Sequence, residues 1–120
     1  MAKLLRANSA GFGAALAASL LWPSLVLAAS AEKGRTLVAE KGCGGCHAIP
    51  GVDRADGVVG PPLTAMGRRI FIAGVLRNTP DNLAAWVLDP QRYVPGNAMP
   101  ATGLTPEEAT DVAAYVESLR

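Results

Sequence analysis

Histidine and cysteine are nearly absent from this chain of 120 residues: His47 is the only histidine, and Cys43 and Cys46 are the only cysteines. This scarcity argues against a tetrahedral zinc site. Cys46 and His47 are sequence neighbours, and no further Cys or His exists to complete four ligands. No second histidine is available for acid–base work either. The chain has no basic patch, so nothing points to nucleic acid. Strand-like and helix-like segments do not alternate, which argues against an α/β fold. No internal repeat or low-complexity tract follows the N-terminal segment.

That segment has its own character. Lys3 and Arg6 make a basic start, and no charged residue occurs from Ala7 to Ala31. Leu16 to Leu27 is strongly apolar, and the small residues Ala28, Ala29, Ser30 and Ala31 follow. This order matches the n-region, h-region and cleavage site of a secretory signal peptide. Cleavage is expected between 28 and 31: after Ala28, with Val26 and Ala28 in the specificity positions, or after Ala31, with Ala29 and Ala31. The expected division is therefore a signal peptide over 1–28 and one domain over 29–120. The competing reading is an uncleaved membrane anchor, which needs about 20 apolar residues and is weakened by Pro23 and Asn8. No twin arginine is present, so export would use the general route, and the expected location is the periplasm. The leader holds two of the 11 basic residues and none of the 10 acidic ones, leaving 9 against 10 in the mature part. So short a domain is small for a self-sufficient core.

The two cysteines and the histidine fall in one pentapeptide, Cys43-Gly44-Gly45-Cys46-His47. Cys-x-x-Cys-His is the signature for covalent attachment of a c-type haem. Two intervening residues let one turn present both sulfurs to one edge of the macrocycle. A histidine directly after the second cysteine can then reach the iron. A covalently tied haem would also supply the apolar volume that a small domain lacks. A thiol oxidoreductase using Cys43 and Cys46 is the rival use of these residues. The adjacent histidine and the missing strand–helix alternation oppose it.

Helix signals come in three places. Glu32 to Lys41 reads as a first helix, stopped by Gly42. Thr79-Pro80-Asp81 opens a second, with Thr79 as cap and Pro80 at the first helical position. Leu83, Trp86 and Val87 mark its buried face, and Pro90 ends it. Thr105-Pro106-Glu107-Glu108 opens the last with a capping box, and Val112, Tyr115, Val116 and Leu119 line its inner face. Gly- and Pro-rich loops run from Ile49 to Pro62 and from Pro95 to Gly103. Ile70 to Leu76 is a short apolar run, read as a loop packed on haem because no partner strand is visible.

A single histidine excludes bis-histidine ligation within one molecule. The sixth position falls to a methionine, to a weaker substitute such as lysine, or to nothing. Met1 leaves with the leader. Met66 follows Leu63 closely and reads as a core gap-filler. Met99 sits in Pro95-Gly96-Asn97-Ala98-Met99-Pro100, where two prolines stiffen the loop and present the thioether, so Met99 is the expected ligand.

From Glu32 to Arg120 the chain resembles a class I cytochrome c. Gly34-Arg35-Thr36-Leu37-Val38 before Gly42-Cys43 resembles that family's first helix. Gly60-Pro61-Pro62-Leu63 resembles its Gly-Pro-x-Leu segment, and Asn82-Leu83 through Asp89-Pro90 to Met99 resembles its helix, turn and methionine loop. The resemblance implies a small all-α fold, with three or more helices wrapped around one covalently bound haem. It implies that the Pro61 carbonyl accepts a hydrogen bond from the His47 imidazole. It places Leu63 and Trp86 against the haem, Trp86 standing where a tyrosine often lies. It also implies that Tyr115 crosses the first helix at Gly34. Asn97, Arg68 and Arg69 are expected near the haem propionates, each with an ordinary surface or turn role as the alternative. Arg77-Asn78-Thr79-Pro80-Asp81-Asn82-Leu83 with Asp89-Pro90 is similar to the haem domain fused to subunit two of some bacterial haem-copper oxidases. The expected function is thus a one-electron carrier of a respiratory chain, not an enzyme, with a terminal oxidase as partner. A sensor or enzyme with an open sixth position is the alternative.

Overall fold

The computed structural model describes residues 28–120. The expected leader lies outside them apart from Ala28. Three α-helices carry the fold: α1 (Ala31–Glu40), α2 (Pro80–Leu88) and α3 (Pro106–Ser118). Single helical turns at Cys43–Gly45, Met66–Arg68 and Pro90–Arg92 punctuate the loops between them. Among the described residues no helix is long and apolar enough to cross a membrane.

Each helix starts where its capping chemistry stands. The Ser30 hydroxyl accepts from the Lys33 amide at the head of α1. The Thr79 hydroxyl accepts from Asn82, with Pro80 in the first turn of α2. At α3 the capping box is complete: Thr105 accepts from the Glu108 amide at 3.2 Å, and Glu108 accepts from the Thr105 amide at 2.8 Å. Such caps are each worth about 1 kcal/mol. Gly42 takes a left-handed φ of 72° directly after α1, so the chain can turn at once into the cysteine segment.

The core is apolar and continuous. Val38 of α1, Leu83 and Val87 of α2, and Val112, Ala113 and Val116 of α3 are buried together with Ile49, Met66, Ile72 and Leu104. Each Val, Leu or Ile so buried contributes about 1.5–3 kcal/mol. Met66 lies fully inside, as a gap-filler should.

Helices α1 and α3 cross at Gly34. A Cβ built there would overlap the Asp111 carbonyl and stand 2.9 Å from the Tyr115 Cβ. The crossing is tied on both sides. The Ser30 amide donates to Asp111 Oδ1 at 2.6 Å, and the Tyr115 hydroxyl donates to the Pro50 carbonyl at 2.9 Å. The other end of α3 is seated on Gly67, where a Cβ would overlap the Glu117 carbonyl and where the Gly67 amide donates to Leu119 O at 2.9 Å.

The run from Ile70 to Leu76 corrects its sequence reading. It is not a loop: β1 (Phe71–Ile72) pairs antiparallel with β2 (Leu76–Arg77). The partner strand begins at the last residue of the same run, Leu76. Ala73 and Gly74, at φ 47° and 74°, fold the chain back on itself through two left-handed residues. Only Ile72 of this hairpin is buried; Ile70, Phe71 and Val75 are exposed. The hairpin is anchored below by Asn78, whose side-chain amide donates to Met66 O and Arg69 O, both at 2.9 Å.

Candidate functional site

The cysteine segment is one tight turn. The amides of Cys46 and His47 both donate to the Cys43 carbonyl, at 3.2 and 3.0 Å. That curl brings two thiols and an imidazole out of five consecutive residues. Cys46 is exposed and Cys43 is half-buried. Burial pushes the Cys43 thiol up; a local backbone hydrogen bond opposes this, and neighbouring Cys46 adds to it. A redox-active thiol is activated in the opposite direction, toward thiolate. This weighs against the oxidoreductase reading.

A strap from Ala55 to Leu63 holds the turn. The amides of Gly57, Gly60 and Leu63 donate to the carbonyls of Gly44 (3.0 Å), Cys46 (2.7 Å) and Ala48 (2.9 Å). The strap passes so close that two of its residues have no room for a side chain. A Cβ at Gly57 would overlap the backbone of Gly45 and Cys46. One at Gly60 would press into the His47 ring, 2.6 Å from Nδ1 and 2.8 Å from Nε2. Gly60 is therefore a flat wall against which the imidazole lies. The next residue fixes the ring's rotation: His47 Nδ1 is 2.7 Å from the Pro61 carbonyl oxygen. A carbonyl only accepts, so Nδ1 carries a proton, and in the neutral ring the lone pair falls on Nε2. An imidazole so oriented is set to ligate a metal through Nε2, and the carbonyl behind it strengthens its donation.

Met99 is held by a different network. Gln91, in the turn after α2, donates through Nε2 to the carbonyls of Asn97 (2.9 Å) and Met99 (2.8 Å). Its Oε1 accepts from the Gly96 amide at 2.9 Å. Asn97 braces the same loop, donating to Val94 O at 2.7 Å and Pro90 O at 3.3 Å, while its Oδ1 accepts the Met99 amide at 2.7 Å. The Thr102 hydroxyl closes the loop onto α2 through the Val87 carbonyl at 2.7 Å.

The sequence-expected residues are thus distributed as follows. Cys43, Leu63, Trp86 and Met99 are partly buried and pack against one core cluster. Trp86 also faces Tyr93, ring centroids 6.3 Å apart. Asn97 spends its side chain inside the methionine loop. Arg69 donates to the carbonyls of Pro62 and Thr64 and so braces the strap beyond Pro61. Arg68 is exposed. Sequence reasoning assigned no role to Gln91, Gly57 or Gly60. Glycine beside the Pro61 segment is a signal of close approach in hindsight. Nothing in the sequence marks Gln91, since its three partners lie in a loop that only the fold brings back to it.

These donors fit a covalently held haem better than a bare ion. Among the described residues no three His, Cys, Asp or Glu side chains come together as a metal site. Two thiols on one turn and one ring with its Nε2 lone pair free form a macrocycle's attachment set. Bound haem would supply a one-electron iron couple. The chain supplies the tethers, the orientation of His47 and an apolar surround.

Comparison with known proteins agrees. The Cytochrome c family model matches residues 31–120. Over 91 residues the chain is 42% identical to cytochrome c oxidase subunit 2 of Alkalihalophilus pseudofirmus, covering 75% of this chain and 26% of that subunit. The corresponding subunit of Bacillus subtilis is 35% identical over 94 residues, with the same coverage. A cytochrome c homolog of Bradyrhizobium diazoefficiens is 36% identical over 120 residues, covering 89% of this chain and 64% of that protein. The chain thus spans about a quarter of the length of the oxidase subunits it matches, at 26%. By motif, fold and similarity, the chain belongs to the cytochrome c family and binds haem c, whose covalent attachment the pair Cys43 and Cys46 fits.

Proposed function

We propose that the protein is a single-haem electron carrier of a respiratory chain, with His47 and Met99 as axial ligands. One observation carries the Met99 assignment. Of the two methionines among the described residues, Met66 is sealed in the core at 5% exposure, whereas Met99 is half-buried in a loop cross-braced by Gln91 and Asn97. A braced loop loses little freedom when its thioether binds iron. With both axial positions filled, no open coordination site remains for substrate, so the protein transfers electrons and is not an enzyme. Pro61 orients His47; Leu63 and Trp86 form apolar walls; Asn97 holds the methionine loop.

That the relatives are cytochrome c oxidase subunits 2 supports a haem-copper terminal oxidase as electron acceptor. Residues 1–28 act as the export signal and direct the protein to the periplasm; an uncleaved leader would anchor it to the membrane there. The paired variants Met99→Ala and Met66→Leu test the ligand. A soft thioether favours ferrous iron and raises the potential. Met99→Ala should therefore lower the midpoint potential and let the ferrous protein bind carbon monoxide. Met66→Leu should do neither, since volume-conserving core swaps are well tolerated. The reverse pattern would refute the assignment.

A further inference from the structure

His47 and Met99 are held in different ways. Around His47 the chain is bonded backbone to backbone: the His47 amide donates to the Cys43 carbonyl, and the amides of Gly57, Gly60 and Leu63 tie the strap to the cysteine segment. Around Met99 this is missing. Among the described residues, 98–104 make no backbone–backbone hydrogen bond. Side-chain amides meet both polar backbone groups of Met99 instead. Its N–H donates to Asn97 Oδ1 at 2.7 Å, and its carbonyl accepts from Gln91 Nε2 at 2.8 Å. Gln91 spans the loop, because the same Nε2 donates to the Asn97 carbonyl at 2.9 Å and its Oε1 accepts from the Gly96 amide at 2.9 Å. These partners fix which end of the side-chain amide is which, since a carbonyl only accepts and a backbone N–H only donates. Gln91 also stands on a firm base. It follows Pro90, which is fully buried and whose carbonyl accepts from the amides of Tyr93 and Val94, both at 3.1 Å.

We propose that Gln91 is the positioning residue that keeps Met99 on ferric iron, so that without it the sixth position opens in the oxidised protein while the reduced protein stays six-coordinate. The inference rests on the Met99 reading above and adds which residue secures that ligation, and in which oxidation state. A thioether is a soft ligand that favours ferrous iron, so its bond to ferric iron is the weaker one. In the reduced protein the bond to iron holds the loop. In the oxidised protein the loop must hold the bond, and this loop has no backbone ladder to do so. Loss of Gln91 releases two carbonyls and one amide to water, and conformations with Met99 swung away gain population. An added ligand enters only those conformations, so its apparent affinity rises in proportion to their population.

Imidazole binding to the ferric, haem-loaded protein is the probe, with the far-red absorption band that a thioether gives on ferric haem as a second readout. Gln91→Leu keeps most of the side-chain volume and removes all three hydrogen bonds. It should bind imidazole at least about tenfold more tightly than wild type, as the loss of several bonds of modest net worth implies, and its far-red band should weaken. Gln91→Glu keeps the length and the acceptor for Gly96 but turns a carboxylate toward the carbonyls of Asn97 and Met99. It should show the same gain, so the test does not hang on one variant maturing. Both variants, once reduced, should resist carbon monoxide as the wild type does. Gly34→Ala weakens the fold at the crossing of α1 and α3, which shares no hydrogen bond with the methionine loop, and its imidazole affinity should stay within about twofold of wild type. Gln91 variants that bind imidazole like the wild type would overturn the proposal. So would an equal gain in Gly34→Ala, which would mark a loss of global stability only, or ready carbon monoxide binding by the reduced Gln91 variants. A wild-type ferric protein without the far-red band, whose imidazole affinity Met99→Ala leaves unchanged, would instead fail the Met99 reading itself, and the proposal with it.

Discussion

Replacing Gly34 by alanine sets two forces of opposite sign against each other. Gly34 lies inside α1, and in an open helix site Gly→Ala stabilises by up to about 1 kcal/mol through backbone entropy. Here the added methyl would enter the Asp111 carbonyl and approach the Tyr115 Cβ to 2.9 Å. The obstacle is backbone of α3, not the end of a flexible side chain. Relief requires α1 and α3 to separate, which loosens the bond from Ser30 to Asp111 as well. Overpacking of this kind costs about 1–3 kcal/mol and occasionally more. The upper half of that range outweighs the propensity gain, leaving a net loss of about 1–2 kcal/mol for Gly34→Ala. Gly34→Val gains only about 0.3 kcal/mol from propensity and should lose about 3 kcal/mol. In a domain of this size each kcal/mol corresponds to about 4–8 °C in Tm. Gly45→Ala, where a Cβ meets nothing within 4 Å, is the control and should lie within about 0.5 kcal/mol of wild type. Guanidinium unfolding of the haem-loaded proteins, followed by circular dichroism, gives the numbers. A Gly34→Ala variant more stable than wild type would show that the helices do not meet at this residue.

Two further expectations concern the site. Two thioether bonds at Cys43 and Cys46 should keep haem on the polypeptide through acid-acetone extraction; complete loss of haem from matured protein would exclude attachment there. Gln91→Ala removes three hydrogen bonds around the methionine loop. At about 0.5–1.5 kcal/mol each, partly offset by solvent, it should cost about 1–3 kcal/mol in denaturant unfolding, and an unchanged midpoint would mean the loop holds its shape without Gln91.

What was legible in the sequence is what is local. The attachment motif places its chemistry in five consecutive residues, and the caps of α2 and α3 are read from Thr79-Pro80 and Thr105 to Glu108 without knowledge of the fold. The crossing of Gly34 with Tyr115 was reachable only through family resemblance, since nothing short-range links residues so far apart. The hairpin at Phe71–Arg77 escaped because its turn puts an alanine, Ala73, into a left-handed conformation that sequence patterns reserve for glycine or asparagine. Asn97 was read toward the propionates, but its amide is consumed by Pro90, Val94 and Met99, a competition visible only once the loop is closed. Gln91 and the wall of Gly60 against His47 are likewise products of three-dimensional return, not of spacing.

A carrier needs a haem whose two axial positions are filled, here by His47 and Met99. The visible spectrum of the matured, dithionite-reduced protein before and after carbon monoxide tests it most directly. Six-coordinate ferrous iron with a braced methionine should give a spectrum that carbon monoxide leaves unchanged at neutral pH. An immediate shift of the Soret band on adding the gas would mean that the sixth position is open, and the protein would then be a sensor or enzyme instead of a carrier.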